Sequence, residues 1–178
     1  MEICLIRHTT PVFEAGLIYG RKELLLHADF PSERDAVCSQ LDDDFDVIFS
    51  SPALRCTELA RAISPAFSTD YRLQELDFGE WEGKTWDTVD QQALQLWMDD
   101  YVNVCTPGGE SMVQMYARVR EFWEEIGQTG YGKVAIVTHA GVIRLILSIV
   151  NEIALTSIFD IKIAYGEVIR VHFTGSNL

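Results

Sequence analysis

Two short apolar runs, Ile3–Ile6 and Val134–Thr138, each lead into a histidine at the start of a loop, and this pairing constrains the fold more than any other feature. The first reads ICLIRHTTP over residues 3–11 and the second VAIVTHAG over residues 134–141. A strand with one wet face alternates apolar and polar residues, whereas an unbroken apolar run belongs to a strand covered on both faces. Similar runs stand at Asp46–Phe49 and Val168–Phe173, with helical patterns between most of them. This alternation predicts an α/β fold in three layers, α/β/α, around a mostly parallel sheet. FDIKIAYGEVIRVHF, residues 159–173, predicts two short strands across a Tyr165-Gly166 turn and so an antiparallel edge. His172 alternates there with Arg170, as on a polar outer face.

The length of 178 residues suits one well-cored domain spanning 1–178, with no repeat or linker to divide it. A net charge of -13 opposes binding to nucleic acid, which runs on phosphate neutralisation, and to anionic membranes. The acidic runs Asp42–Asp44 and Asp99–Asp100 read as solvated ends and loops. No stretch approaches the ~18 consecutive apolar residues of a transmembrane helix. The first residues lack the basic leader of a signal peptide. Cys4, Cys38, Cys56 and Cys105 form no Cys-x-x-Cys pair, so free thiols and a reducing cytoplasm are expected. Nothing in the sequence bears on oligomeric state.

Three helices can be read in detail. In SSPALRCTELARAIS, Ser51 suits the N-cap and Pro52 the first helical position, with Ala53, Cys56, Leu59, Ala60 and Ile63 on the inner face. GGESMVQMYARVREFWEEI offers a capping box of Ser111 and Gln114, then a core stripe of Met112, Met115, Val119, Phe122, Trp123 and Ile126. After His139 comes a helix that is apolar nearly all round, broken only by Arg144 and Ser148, and therefore buried on most sides.

The chemistry collects at strand ends, where open α/β sheets bind their ligands. His8 follows one strand and His139 another, and a third sends Arg55 into the first turn of its helix. A cation there opposes the helix dipole, but it fits if an anion occupies the site. Arg7, His8, Arg55 and His139 gathered together would repel one another unless that occupant is anionic, and a phosphate dianion meets the need. The loop LQELDFGEWEGKTW, residues 73–86, adds Glu75, Asp77, Glu80 and Glu82. A carboxylate beside phosphate is repelled unless protonated, and a protonated carboxyl serves as general acid to a leaving alkoxide. The residues themselves leave open which of the four it is.

LIRHTTP, SSPALRCTELA, ELDFGEWEG, PGGES and VTHAGVIR, in that order, resemble the histidine phosphatase (phosphoglycerate mutase-like) superfamily. The resemblance implies that fold, with His8 as nucleophile through a phosphohistidine and Glu75 as proton donor. It also implies that Arg7, Arg55 and His139 hold the phosphoryl oxygens without a metal or other cofactor, His139 as imidazolium. The backbone after His139, at Ala140, would add to the cradle. Where the family commonly has Arg-His-Gly-Glu-Thr, this chain has Thr9, Thr10 and Pro11, and Leu59 replaces a Thr. Thr-Thr-Pro followed by GLIYG is similar to the α-ribazole phosphatases, which act on α-ribazole 5'-phosphate or the cobamide phosphate in cobalamin assembly, although Glu23 stands where an Asp is usual. Thr10, Tyr19 and Gly20 are then expected at the substrate pocket, and the partner is a small phosphorylated metabolite.

Four other readings compete. A broad-specificity small-molecule phosphatase shares every catalytic residue. A phosphoglycerate mutase needs an insertion for which this chain has no room. A catalytically silent phospho-ligand-binding module would not need His8, Glu75 and His139 together. A metallohydrolase built on His8 and His139 is disfavoured by the adjacent arginines.

Overall fold

The computed structural model describes residues 1–41 and 44–173. Five strands, β1 (Glu2–Arg7), β2 (Val47–Ser50), β3 (Ser68–Thr69), β4 (Lys133–Thr138) and β5 (Val168–His172), form one sheet in the order β3-β2-β4-β1-β5. All neighbours are parallel except β5, which runs antiparallel to β1. Helices α1 (Phe30–Cys38) and α2 (Leu54–Ile63) follow β1 and β2 in the chain. Helices α3 (Gln91–Asp99), α4 (Met112–Gly127) and α5 (Ala140–Asn151) complete the set, with short 3-10 turns at Tyr71–Leu73, Gly79–Trp81 and Leu155–Asp160.

The unbroken apolar runs follow from burial on two sides. Ile3, Leu5, Val134 and Ile136 pack with α4 and α5 on one face. Cys4, Ile6, Ala135 and Val137, the residues between them, pack with Val37 of α1 and with Cys56, Leu59 and Ala60 of α2 on the other. Successive side chains of a strand point to opposite faces, so both sets must be apolar. This is the expected three-layer α/β/α architecture. The Met and aromatic stripe of α4 lies in the core, and its capping box closes through Ser111 and Gln114.

Two local expectations are corrected. The segment before β5 is a 3-10 turn and a bend rather than a strand, so no hairpin forms, although the Tyr165-Gly166 turn is present with Gly166 at φ +67°. The antiparallel edge is made by β5 pairing directly with β1. Helix α2 begins at Leu54, not at Pro52, with Ala53 as its N-cap. The Ser51 hydroxyl is engaged by the His139 ring instead, and the Glu23 carboxylate accepts from the Leu54 amide at 3.0 Å. That carboxylate does the work expected of Ser51 and suits the positive end of the dipole.

Asp42 and Asp43 lie outside the described residues, while Asp44 is exposed and pairs with Lys133. Arg170 and His172 are exposed, as expected of an outer face. None of the four cysteines is in a disulfide, and Cys4 and Cys56 are buried. No helix among the described residues is long and apolar enough to cross a membrane.

Candidate active site

Strand register brings the two histidines together. In the β1–β4 pair, Arg7 lies opposite Thr138, so the next residues, His8 and His139, leave the sheet side by side. Their rings sit 5.2 Å apart between centroids in a T-shaped contact. Both are buried, His8 with 1% and His139 with 1% of its surface exposed. Arg55, from the first turn of α2, is completely buried and donates to His139 Nδ1 at 3.3 Å and to the carbonyl oxygen of Gly20 at 2.7 Å. No carboxylate among the described residues pairs with Arg55 or Arg7, and the Nε of each is buried without a partner. Both guanidinium groups donate to backbone carbonyl oxygens, Arg7 to that of Ile163 and Arg55 to those of Gly20 and Lys22, but their charges meet no carboxylate, a setting that suits a bound anion.

The hydrogen bonds decide both ring tautomers. His8 Nδ1 lies 2.7 Å from the carbonyl oxygen of Thr9, which only accepts, so Nδ1 carries the proton and Nε2 is left with a free lone pair. Burial, reinforced by Arg55 and Arg7, holds His8 well below its ordinary value of 6.5. Arg55 can only donate, so His139 Nδ1 is the acceptor and Nε2–H faces the Ser51 hydroxyl at 2.8 Å. His139 too is held well below 6.5, by burial and then by Arg55 and His8. That environment favours the neutral imidazole of His139 as long as no anion stands beside it. Four neighbouring positive or ionisable groups, Arg55, His8, Arg118 and Arg7, oppose the charge in addition to burial.

The acidic loop is sorted by its contacts. Only Glu75, of its four carboxylates, borders the cavity, about 220 Å³ in volume, that opens over Arg7, Tyr19, Gly20 and Ala140. Asp77 pairs with Arg21 at 3.2 Å, Glu82 accepts from the amides of Arg21 and Phe78, and Glu80 is exposed. Glu75 accepts from the Gly141 amide at 3.1 Å, which caps α5 from outside. A Cβ at residue 141 would overlap the Glu75 carboxylate, so the close approach requires glycine. Arg118, paired with Glu110 at 2.6 Å, braces the loop by donating to the carbonyl oxygens of Arg72, Gln74 and Glu75.

Of the expected pocket residues, Tyr19 and Gly20 line the cavity and Thr10 does not. The Thr10 amide donates to the Glu33 carboxylate at 2.7 Å. Two residues at the site had no role assigned from the sequence. Tyr165 lies under the Arg7 guanidinium, 3.7 Å from its ring centroid, and its hydroxyl meets that of Tyr19 at 2.9 Å. It reaches the site because antiparallel β5 begins where β1 ends, and no local pattern signals that. Arg144 also lines the cavity, and its signal was visible as the one cation in an apolar helix. Among the described residues no group of three or more His, Cys, Asp or Glu side chains is arranged to hold a metal.

The putative phosphoserine phosphatase 2 of Hydrogenobacter thermophilus is 30% identical to this chain over 183 residues, covering 98% of it and 90% of the relative. Phosphoserine phosphatase 1 of the same organism is 29% identical, covering 78% of this chain and 71% of its own. The crystal structure of the α-ribazole phosphatase from Shigella flexneri superposes with a TM-score of 0.88 at 23% identity, over 98% of this chain and 92% of that one. The model of the histidine phosphatase superfamily (branch 1) matches residues 3–178, from the first apolar run through both histidines, and the chain belongs to that family of phosphatases.

Proposed function

We propose that the chain, read as one histidine phosphatase-like domain, hydrolyses small phosphomonoesters through a phosphohistidine on His8 without a metal. The observation that carries this reading is His8 itself: a buried imidazole, held toward its neutral form, with Nδ1–H committed to Thr9 and Nε2 free, in the field of an Arg55 that meets no carboxylate. Nε2 attacks phosphorus in line, the bond from phosphorus to the ester oxygen breaks, and protonated Glu75 gives its proton to that oxygen. Water then attacks the phosphohistidine with the Glu75 carboxylate as base, releasing phosphate and restoring His8. Arg7 and Arg55 stabilise charge on the equatorial oxygens, with the Ala140 backbone beside them. His139 gains its proton only when the phosphoryl dianion arrives to balance it.

For the ester, the first reading is α-ribazole 5'-phosphate or the cobamide phosphate, and so a cytoplasmic place in cobalamin assembly. Apolar walls at Leu17, Ile18, Phe78 and Trp86 suit its flat benzimidazole. The second reading is a phosphoserine-like ester, favoured by Arg144 in the cavity and by the names of the two Hydrogenobacter relatives.

The test is to quench turnover of a labelled phosphomonoester and seek an acid-labile, base-stable adduct on His8. The expected result is that adduct, its loss in His8→Ala, and full activity in EDTA. An active His8→Ala protein, or activity lost in EDTA and restored by a divalent cation, would overturn the mechanism.

A further inference from the structure

All ten arginines of the chain lie among the described residues, and seven of them reach a carboxylate within 4.0 Å. The three that do not are Arg7, Arg55 and Arg144. In a chain with 27 acidic residues, leaving a guanidinium unpaired is a selective outcome, and all three stand at one site. Arg7 and Arg55 are accounted for by a phosphoryl group. Arg144 is not.

Arg144 stands on α5 one turn beyond Gly141 and lines the same cavity as Arg7 and Glu75. Its Nε donates to the carbonyl oxygen of Ile161 at 2.9 Å, and its guanidinium lies 5.7 Å from the Phe159 ring centroid. These contacts hold the side chain in place but leave both terminal nitrogens without a partner among the described residues. The side chain is half-buried on a helix that is otherwise almost wholly apolar; Glu75 favours its charge from beyond ion-pair distance, whereas burial and Arg7 oppose it. A guanidinium fixed through Nε offers its two outer N–H groups as a fork, the geometry that fits a carboxylate.

We propose that Arg144 binds a carboxylate on the alcohol part of the substrate, so that the preferred esters are phosphomonoesters of small hydroxy acids. The assignment rests on the phosphatase reading above and, of its two esters, on the second, phosphoserine-like one. It puts the phosphoryl group at Arg7 and Arg55 and the carboxylate at Arg144, with the proposed acid Glu75 on the wall of the same cavity. The apolar walls then surround the few carbons that join them.

The test compares kcat/KM for O-phosphoserine, phosphoethanolamine (the same skeleton without the carboxylate), p-nitrophenyl phosphate and α-ribazole 5'-phosphate. Wild-type protein is expected to favour phosphoserine over phosphoethanolamine by about tenfold or more, the discrimination one charge-assisted contact supplies. In Arg144→Met this ratio collapses toward unity, through KM for phosphoserine more than through kcat. Arg144→Lys keeps part of it, and Arg144→Gln is read in the same way should Arg144→Met fail to fold. A ratio near unity in the wild type, a ratio unchanged in the variants, or a wild-type preference for α-ribazole 5'-phosphate overturns the assignment. Turnover of p-nitrophenyl phosphate in any of those cases leaves the phosphatase reading standing. A wild-type protein that hydrolyses none of the four overturns both.

Discussion

The carboxylate of Glu75 accepts a hydrogen bond from the amide of Gly141 at 3.1 Å, joining the acidic loop to the first turn of α5. A side chain at residue 141 and Glu75 in this position are mutually exclusive. Gly141→Ala should therefore displace the proposed acid while favouring the helix, in which Ala is better than Gly by about 1 kcal/mol. The expected result is a fall of about a hundredfold in kcat for alkyl phosphates without a matching loss of Tm. Unaltered kinetics in this variant would mean that the carboxylate need not sit where it does.

Leaving-group dependence tests the role of Glu75 directly. Glu75→Gln keeps the shape but cannot give up a proton, so alkyl phosphates should lose about a hundredfold or more in kcat/KM, while p-nitrophenyl phosphate, whose leaving group needs no proton, loses far less. Equal losses on both would return the role to Asp77, Glu80 or Glu82.

Ser51 holds His139 by the only contact that fixes its Nε2 proton at normal hydrogen-bond length. Ser51→Ala leaves that buried N–H with only the weakly accepting Cys56 sulfur at 3.6 Å, at about 1–3 kcal/mol in stability. Thermal melts should show the loss, and kcat/KM should fall about tenfold as the ring turns away from the phosphoryl oxygens. Ser51→Thr, which keeps the hydroxyl, should recover part of both.

Both site histidines are held below 6.5 by burial and by Arg55, which sets the sign of the pH dependence. Groups that bind protons less readily when folded stabilise the protein above 6.5, and that stability is lost as pH falls below it. Tm should decline progressively on acidification from pH 6.5, and less so in His8→Asn. The acid limb of kcat/KM should lie well below 6.5, because free His8 is already deprotonated there.

The Arg118–Glu110 pair is largely buried, and Arg118 holds the backbone carbonyls of Gln74 and Glu75 in the acidic loop and of Arg72 just before it. Glu110 is held below its ordinary range chiefly because Arg118 bonds it, despite the opposing effect of burial. Arg118→Met leaves that carboxylate with Arg21 and the Asp77 amide, so a loss of about 3 kcal/mol is expected from denaturant unfolding.

The sequence by itself determined which strands are buried on both faces, which residues fill the core of α4, and that His8, Arg55 and His139 leave from strand or helix ends. These are local facts: an apolar run without alternation, a 3.6-residue stripe, a cation at the start of a helix. The capping box at Ser111 and Gln114 was equally legible, since both partners lie within one turn. Ser51 misled because its rival partner, the His139 ring, is 88 positions away in the chain. The same limit hid Tyr165, which touches Arg7 only because β5 runs antiparallel beside β1.

The choice among Glu75, Asp77, Glu80 and Glu82 also belonged to the tertiary structure. Four carboxylates in one loop look alike until Arg21 claims Asp77, backbone amides claim Glu82, solvent takes Glu80, and Gly141 admits Glu75 to the cavity. The charge on His139 was decided in the same way, by how deeply it is buried and which guanidinium stands beside it. Local pattern determines what a segment can become, whereas proton affinity and partnership depend on groups distant in sequence that only packing brings within bonding range.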